Sequence, residues 1–141
     1  MKISARNQLP GIISNVREGA VNGVVTLDLG SAQIKADITM ESIRNLGLAE
    51  GVRALAVVKA SSVMFAAGTE RITNLSARNQ LPGIIEKVDN GAVNGHVILR
   101  LEDGGVVTGS ITNEAVEELG LKVGAPALAV IKASDVMIGV E

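Results

Sequence analysis

The chain has 141 residues with 13 basic and 15 acidic side chains, and its formal net charge of −2 leaves no basic field to attract nucleic acid or a membrane surface. It contains no cysteine, tyrosine or tryptophan, one histidine and one phenylalanine. This composition excludes disulfides and thiolate chemistry, and it leaves the core to Val, Ile, Leu and Ala.

The most informative feature is a repeat. The segment Ser-Ala-Arg-Asn-Gln-Leu-Pro-Gly-Ile-Ile occurs at residues 4–13 and again, unchanged, at 76–85. Such a repeat in a short chain indicates a duplicated module and marks the start of each copy. We therefore predict a first module over 1–67, a short linker over 68–73 and a second module over 74–141. Modules this small have marginal stability alone, so we expect them to pack together and the chain to oligomerise.

The first copy begins with three predicted strands. One strand is expected over 9–16, opening at Pro10-Gly11. The pair Asn22-Gly23 then predicts a turn. Apolar residues alternate with polar ones over 25–29 and again over 34–38, which predicts two half-buried strands.

A helix and a second kind of strand follow. Thr39 is a natural N-cap, and the spacing after it predicts about two turns of helix that end at Gly47. The strand from Arg53 to Lys59 is apolar on both faces, so we expect both to be covered, the second by another module or another chain. A polar Lys-Ala-Ser-Ser and a short apolar piece over 63–66 complete the copy.

The second copy repeats this plan with a shift of 72 residues, which becomes 73 after an extra residue within 102–105. An insertion at a predicted turn supports the strand assignment. Residues 112–120 repeat the helix, and residues 127–132 repeat the two-faced strand. The chain is therefore predicted to be mainly β, with two tandem OB-like Greek-key barrel modules that each carry one short helix.

The repeated polar residues leave two interpretations open. They could satisfy backbone groups at the start of a strand, or a hydroxyl, a guanidinium and backbone N–H groups could converge on an anion. In the first interpretation the arginines pair with surface carboxylates, the lysines are solvated strand ends and the threonines are plain caps. The two Gly-Ala-Val-Asn-Gly segments could likewise be ordinary turns or line a second class of site.

The repeated features resemble the molbindins, small cytoplasmic molybdate-binding proteins built from Mop modules of the TOBE type. The resemblance is carried by Ser-Ala-Arg-Asn-Gln at both module starts, by Ile-Thr at 38–39 and 111–112, and by Lys-Ala-Ser at 59–61 and 132–134. It covers essentially the whole chain and is closest to the two-module, di-Mop type. It implies storage or homeostasis of molybdate or tungstate in the cytoplasm, without catalysis or cofactor, by a homotrimer with oxyanions at the module interfaces.

The resemblance also implies which residues bind the oxyanion. For the first copy these are Ser4, Arg6, Lys59 and the backbone N–H of Ala60, with Thr39 and Ser42 contributed by the facing module. The second-copy equivalents are Ser76, Arg78, Lys132, Ala133 and Thr112. Ala115 stands where Ser42 does, so one hydroxyl is missing from the second set.

The chemistry of the residues agrees with this implication. Arg and Lys can neutralise a tetrahedral dianion, while Ser, Thr and N–H groups supply directional hydrogen bonds.

A nucleic-acid-binding OB protein would need aromatic stacking platforms, and an enzyme would need a nucleophile–base pair or a metal constellation. The sequence shows none of these. The alternative is a structural or regulatory oligomerisation module of a molybdate transport system. No signal peptide or membrane-spanning run is visible, so we expect a cytoplasmic protein without a membrane partner.

Overall fold

The computed structural model describes all 141 residues, which form ten strands and two short helices. The strands are β1 (Asn7–Arg17), β2 (Asn22–Asp28), β3 (Gln33–Thr39), β4 (Arg53–Val58), β5 (Met64–Ala67), β6 (Asn79–Asn90), β7 (Asn94–Leu101), β8 (Val106–Thr112), β9 (Pro126–Ile131) and β10 (Met137–Gly139). The helices are α1 (Met40–Asn45) and α2 (Asn113–Glu118), and neither is long and apolar enough to cross a membrane. Single 3-10 turns, Ala60–Ser62 and Ala133–Asp135, follow β4 and β9.

The strands form two five-stranded antiparallel sheets, ordered β10-β4-β1-β2-β3 and β5-β9-β6-β7-β8. Within each sheet the first four strands of one sequence copy lie in the order 4-1-2-3, which is a Greek key. The edge strands β10 and β3 approach each other, as do β5 and β8, so each sheet curls towards a barrel. This architecture confirms the predicted fold class.

The first strand of each copy is long and bent. The pairing of β1 with β2 shifts register between Ile13 and Asn15, which marks a bulge at Ser14. A bulge increases the local twist, and here it lets β1 pair with β4 along its first half and with β2 along its second. The strand starts earlier than predicted and runs through Pro10. Since β2 pairs only from Ile12 onward, Pro10 has a neighbouring strand on one side alone, where proline is tolerated.

The fifth strand of each sheet comes from the other sequence copy. Strand β5 of the first copy pairs with β9, and β10 of the second copy pairs with β4. The apolar piece that the sequence analysis left within the first copy therefore completes the sheet of the second. The boundaries 1–67, 68–73 and 74–141 stay a proposal for the sequence modules, whereas each sheet contains strands of both. We define the first half as the sheet of β1 to β4, and the second half as the sheet of β6 to β9.

The linker covers part of the second face of β9. A small apolar cluster on that face contains Ala77, Leu128 and Val130, and Ile72 of the linker packs against it. Gln80 holds the linker in place, because its Oε1 accepts a hydrogen bond from the Ile72 N–H at 2.7 Å and its Nε2 donates to the Ile72 carbonyl at 3.0 Å. The expected cover from another module is therefore only part of what β9 has: Ala66 of the first copy packs against the same cluster, and the linker, which was not expected there, adds Ile72.

The turns at one end of the two halves also meet. Asp103 accepts hydrogen bonds from the Ser31 hydroxyl at 2.9 Å and from the Gly105 N–H at 2.7 Å. Burial alone would raise the pKa of Asp103, but these bonds, together with one from the Ser31 N–H, hold it below its ordinary value. The carboxylate thus joins the second hairpin turn of one half to that of the other.

The single phenylalanine fills a space left by a glycine. Phe65 of β5 is 8% exposed, and a Cβ added to Gly109 of β8 would lie 2.7 Å from its Cζ. The equivalent residues in the other half are Ile138 and Ala36. The packed volume is similar in the two halves, because the larger Phe65 is paired with glycine and the smaller Ile138 with alanine.

We predict that Gly109→Ala lowers the free energy of unfolding by about 1–3 kcal/mol, because the added methyl group displaces the Phe65 ring. Denaturant unfolding followed by circular dichroism measures this. The double variant Gly109→Ala with Phe65→Ile recreates the pair found in the other half and should recover most of the loss. A Gly109→Ala protein as stable as the parent would show that the ring does not pack over this glycine.

Candidate anion-binding site

Two cavities of equivalent composition lie where the halves meet. The first cavity has a volume of about 390 Å³ and the second about 300 Å³. Each is lined by nine residues, and every residue of one has its sequence equivalent in the other. The first is lined by Ile3, Ser4, Ala5, Arg6, Lys59, Ala60, Ser61, Ser110 and Met137. The second is lined, in the same order of equivalence, by Leu75, Ser76, Ala77, Arg78, Lys132, Ala133, Ser134, Asp37 and Met64.

Strand pairing brings together four of the predicted ligands in each copy. Ser4 and Arg6 precede β1, whereas Lys59 and Ala60 follow β4. Because β1 and β4 are antiparallel, with Asn7 opposite Val58, the start of one strand lies beside the end of the other. The same pairing of β6 with β9 assembles the second set, Ser76, Arg78, Lys132 and Ala133.

The predicted hydroxyls at the helix starts line neither cavity within one chain. Thr39 caps α1, since its Oγ1 accepts a hydrogen bond from the Ser42 N–H at 3.1 Å and donates to the Ser42 Oγ at 2.9 Å. Thr112 caps α2 in the same way through the Ala115 N–H. A role for these hydroxyls in anion binding stays a prediction. Because they line neither cavity of their own chain, this prediction requires that the facing module belongs to another chain.

The basic side chains of the cavities are free of protein partners. Arg6, Lys59, Arg78 and Lys132 have no carboxylate within 4.0 Å, and none of the four donates a side-chain hydrogen bond to the protein. The alternative in which the arginines pair with surface carboxylates is therefore wrong. Exposed cations can stay solvated, but two of them beside two serine hydroxyls provide the charge and the donors that a dianion needs.

The turn after the long strand adds a backbone donor. The Ser62 N–H closes the 3-10 turn on the Lys59 carbonyl at 2.9 Å, and the Asp135 N–H does the same with Lys132. The first N–H groups of a helical turn have no partner within it, so the Ala60 and Ala133 N–H groups are available to a ligand. No three acidic or histidine side chains converge where they could hold a metal ion directly.

A larger cavity of about 700 Å³ lies over β1 and β4, but it lacks this donor set. Its one basic side chain, Arg53, shares it with the carboxylate of Glu141. Glu141 in turn accepts a hydrogen bond from the N-terminal amine at 2.8 Å. A carboxylate beside a single cation disfavours a dianion, so the two smaller cavities are the candidate sites.

The asparagine of the repeated segment fits the first interpretation, in which the polar residues satisfy backbone groups, but the backbone that it bonds lies in the other half, which the sequence did not predict. Asn7 is 2% exposed, and its side chain crosses to β8 of the other half. Its Nδ2 donates to the Thr108 carbonyl at 2.8 Å, and its Oδ1 accepts from the Thr108 N–H at 2.7 Å. Asn79 makes the same pair of bonds to Lys35 of β3, at 2.8 and 2.7 Å. The available signal was chemical, since a carboxamide offers a donor and an acceptor as a peptide group does.

The cavity walls from the opposite half were also missed. Ser110 and Asp37 lie on the edge strands β8 and β3, far in sequence from the arginines that they face. The alternation of apolar and polar residues along these strands places both side chains outside the core. Only the packing of the two halves against each other shows that they line the cavities.

We predict that Asn7→Leu lowers the free energy of unfolding by about 1–3 kcal/mol, because it leaves the backbone of Thr108 without partners at a buried contact. Asn15→Leu, at an exposed position of the same strand, should change stability by less than about 0.5 kcal/mol. Urea unfolding of both variants gives the comparison. Equal losses would argue against a special role for the Asn7 carboxamide.

Comparisons with known proteins agree with the duplicated structure. Residues 3–65 and 75–138 each match the TOBE domain family. The chain is 42% identical over 142 residues to the molybdenum transport protein ModE of Herbaspirillum seropedicae, an alignment that covers all of the chain and 52% of that protein. It is 41% identical over 139 residues to the molybdenum-pterin-binding protein MopA of Rhodobacter capsulatus, which covers 98% of the chain and 52% of that protein. The chain thus spans about half the length of these relatives.

A solved structure matches the chain from end to end. The cytoplasmic molybdate-binding protein ModG, crystallised with molybdate bound, aligns with a TM-score of 0.94 and 48% sequence identity. Both chains are covered completely. The arrangement of the two halves is therefore shared with ModG as well as the fold of each.

Proposed function

Because the chain belongs to the TOBE domain family and carries two TOBE domains in tandem, we propose that it binds molybdate in the cytoplasm for storage or homeostasis, without catalysis. The relatives support this proposal. ModG is a cytoplasmic molybdate-binding protein that matches the whole chain, and ModE and MopA are both named for molybdenum. Tungstate has the same charge and tetrahedral shape as molybdate, so we include it as a ligand.

One observation carries the proposal: two unpaired cations and two serine hydroxyls line each cavity. In the first cavity these are Arg6, Lys59, Ser4 and Ser61. Two positive charges balance the two negative charges of molybdate, and hydrogen bonds to a charged group contribute more than neutral ones, about 1.5–3 kcal/mol each. The cations are held close together by the strand pairing, so binding requires little rearrangement.

We further propose that the sites are completed in a homotrimer. The predicted ligands Ser4, Arg6 and Lys59 are exposed in the single chain, and a second chain over the cavity would exclude water and strengthen every charge–charge interaction. Across such an interface Ser42 and Thr112 can donate hydroxyl hydrogens that bond to nothing within the chain, whereas Thr39 must exchange its hydrogen bond to the Ser42 Oγ for one to the anion. Ile12 and Ile84, equivalent apolar residues that are 50% and 38% exposed, give both halves apolar surface for this contact.

We predict that Arg6→Ala weakens molybdate binding at the first cavity and Arg78→Ala at the second, each by at least about thirtyfold. Removing one partner of a desolvated charge pair costs about 2–5 kcal/mol. Isothermal titration calorimetry with molybdate measures the loss. Arg17→Ala, an arginine outside both cavities, is the matched control and should bind as the parent does. Both cavity variants should keep the parent's thermal midpoint without ligand, and unchanged binding would place the site elsewhere.

We predict a stable trimer, with a mass three times that of the 14.5 kDa chain. Sedimentation equilibrium at micromolar concentration measures it directly. A monomer under these conditions would contradict the proposed assembly. It would not by itself contradict molybdate binding, which the titration tests separately.

A second candidate is a regulatory or oligomerisation module of a molybdenum transport system, which the match to half of ModE favours. Both candidates bind molybdate, but they differ in the physiological consequence of binding. A strain that lacks a storage protein should exhaust its molybdate sooner after transfer to molybdate-free medium. A strain that lacks a regulatory module should instead misadjust its rate of molybdate uptake.

A further inference from the structure

The two cavities differ in one chemically important residue. Of the nine equivalent pairs that line them, seven are identical, and Ile3 and Leu75 differ only in branching. The remaining pair is Ser110 in the first cavity and Asp37 in the second. Both cavities therefore have the same two cations, while the wall from the opposite half is a hydroxyl in the first cavity and a carboxylate in the second.

The buried asparagines fix the position of this wall. Asn79 follows Arg78 in the chain and bonds to both backbone groups of Lys35, two residues before Asp37. This contact holds β3 beside the start of β6, and Asp37, two residues beyond Lys35, lines the cavity of Arg78. The edge strand β3 also packs against the turn that follows Lys132. The same contacts between Asn7 and Thr108 position Ser110 in the first cavity.

The carboxylate leaves the second cavity with less positive charge. The first cavity contains two cations and no carboxylate, whereas the second contains two cations and one carboxylate. Asp37 forms no ion pair within 4.0 Å and no side-chain hydrogen bond, so neither Arg78 nor Lys132 neutralises it directly. Asp135 replaces Ser62 in the adjoining turn, but neither residue lines its cavity, so Asp37 is the one carboxylate within the second lining.

We propose that Asp37 makes the second cavity a weaker oxyanion site than the first, an inference that rests on the proposed molybdate binding. A carboxylate and a dianion within one cavity of about 300 Å³ repel each other, and an affinity difference of about tenfold or more follows from charges at such distances. The first cavity fills at low molybdate concentration and the second only at higher concentration. One chain therefore buffers the anion over a wider range of concentration than two equal sites would.

The test exchanges the wall residues and titrates the intact protein with molybdate. The parent should show two classes of site of equal number, separated by about tenfold or more. Asp37→Ser should merge them into one class with the affinity of the tighter sites, and Ser110→Asp should merge them into one weak class. Asp37→Asn keeps the size of the side chain and should act like Asp37→Ser. Asp89→Ser changes the net charge equally but lies outside both cavities, so it should leave two classes.

The outcomes separate this inference from the function on which it rests. A parent that binds no molybdate overturns both. A parent that binds molybdate in one class, or in two classes that Asp37→Ser and Asp37→Asn leave apart, overturns the role of Asp37 and leaves the proposed function standing. The missing hydroxyl at Ala115 offers a competing cause of unequal sites. If Ser42→Ala alone merges the classes while the Asp37 variants do not, that cause is the correct one.

Discussion

The structure depends on two buried carboxamides that join the halves of the chain. Asn7 and Asn79 each sit at the start of a long strand, and each bonds to both backbone groups of one residue on the edge strand of the opposite half. An edge strand presents unpaired N–H and carbonyl groups that need partners. Here a side chain supplies both bonds to one residue of each edge strand, Thr108 or Lys35, and fixes the register between the halves at the same time.

The exchange of terminal strands makes the two halves interdependent. Since β5 completes the sheet of the second half and β10 that of the first, neither sequence copy can build its full sheet alone. The polar turns that carry the chain into these exchanged strands are also the turns that line the two cavities. The same local feature therefore connects the halves and provides backbone donors to the candidate site.

Each cavity is built from two sources that can vary separately. The ends of paired strands supply the cations and serines, which the repeat keeps identical, and the edge strand of the opposite half supplies the facing wall. A substitution on that wall alters the charge of one cavity without disturbing the strand pairing that assembles it. This separation explains how Asp37 can distinguish two sites whose other polar residues are the same.

The sequence by itself determined the duplication, the order of strands and helices, and the N-caps at Thr39 and Thr112. These follow from local patterns, because alternation, capping and an unchanged repeat are visible within a few residues. The cations of the candidate site were implied by the family resemblance that the repeated residues carry. Only the tertiary structure decided which copy receives β5 and β10, what Asn7 bonds to, and that Asp37 faces Arg78. Those contacts join residues about 40 to 100 positions apart across the interface between halves, and two copies with the same plan of strands offer each strand two similar partners. The choice between them is made by packing and by the short connection through each polar turn, which no local pattern records.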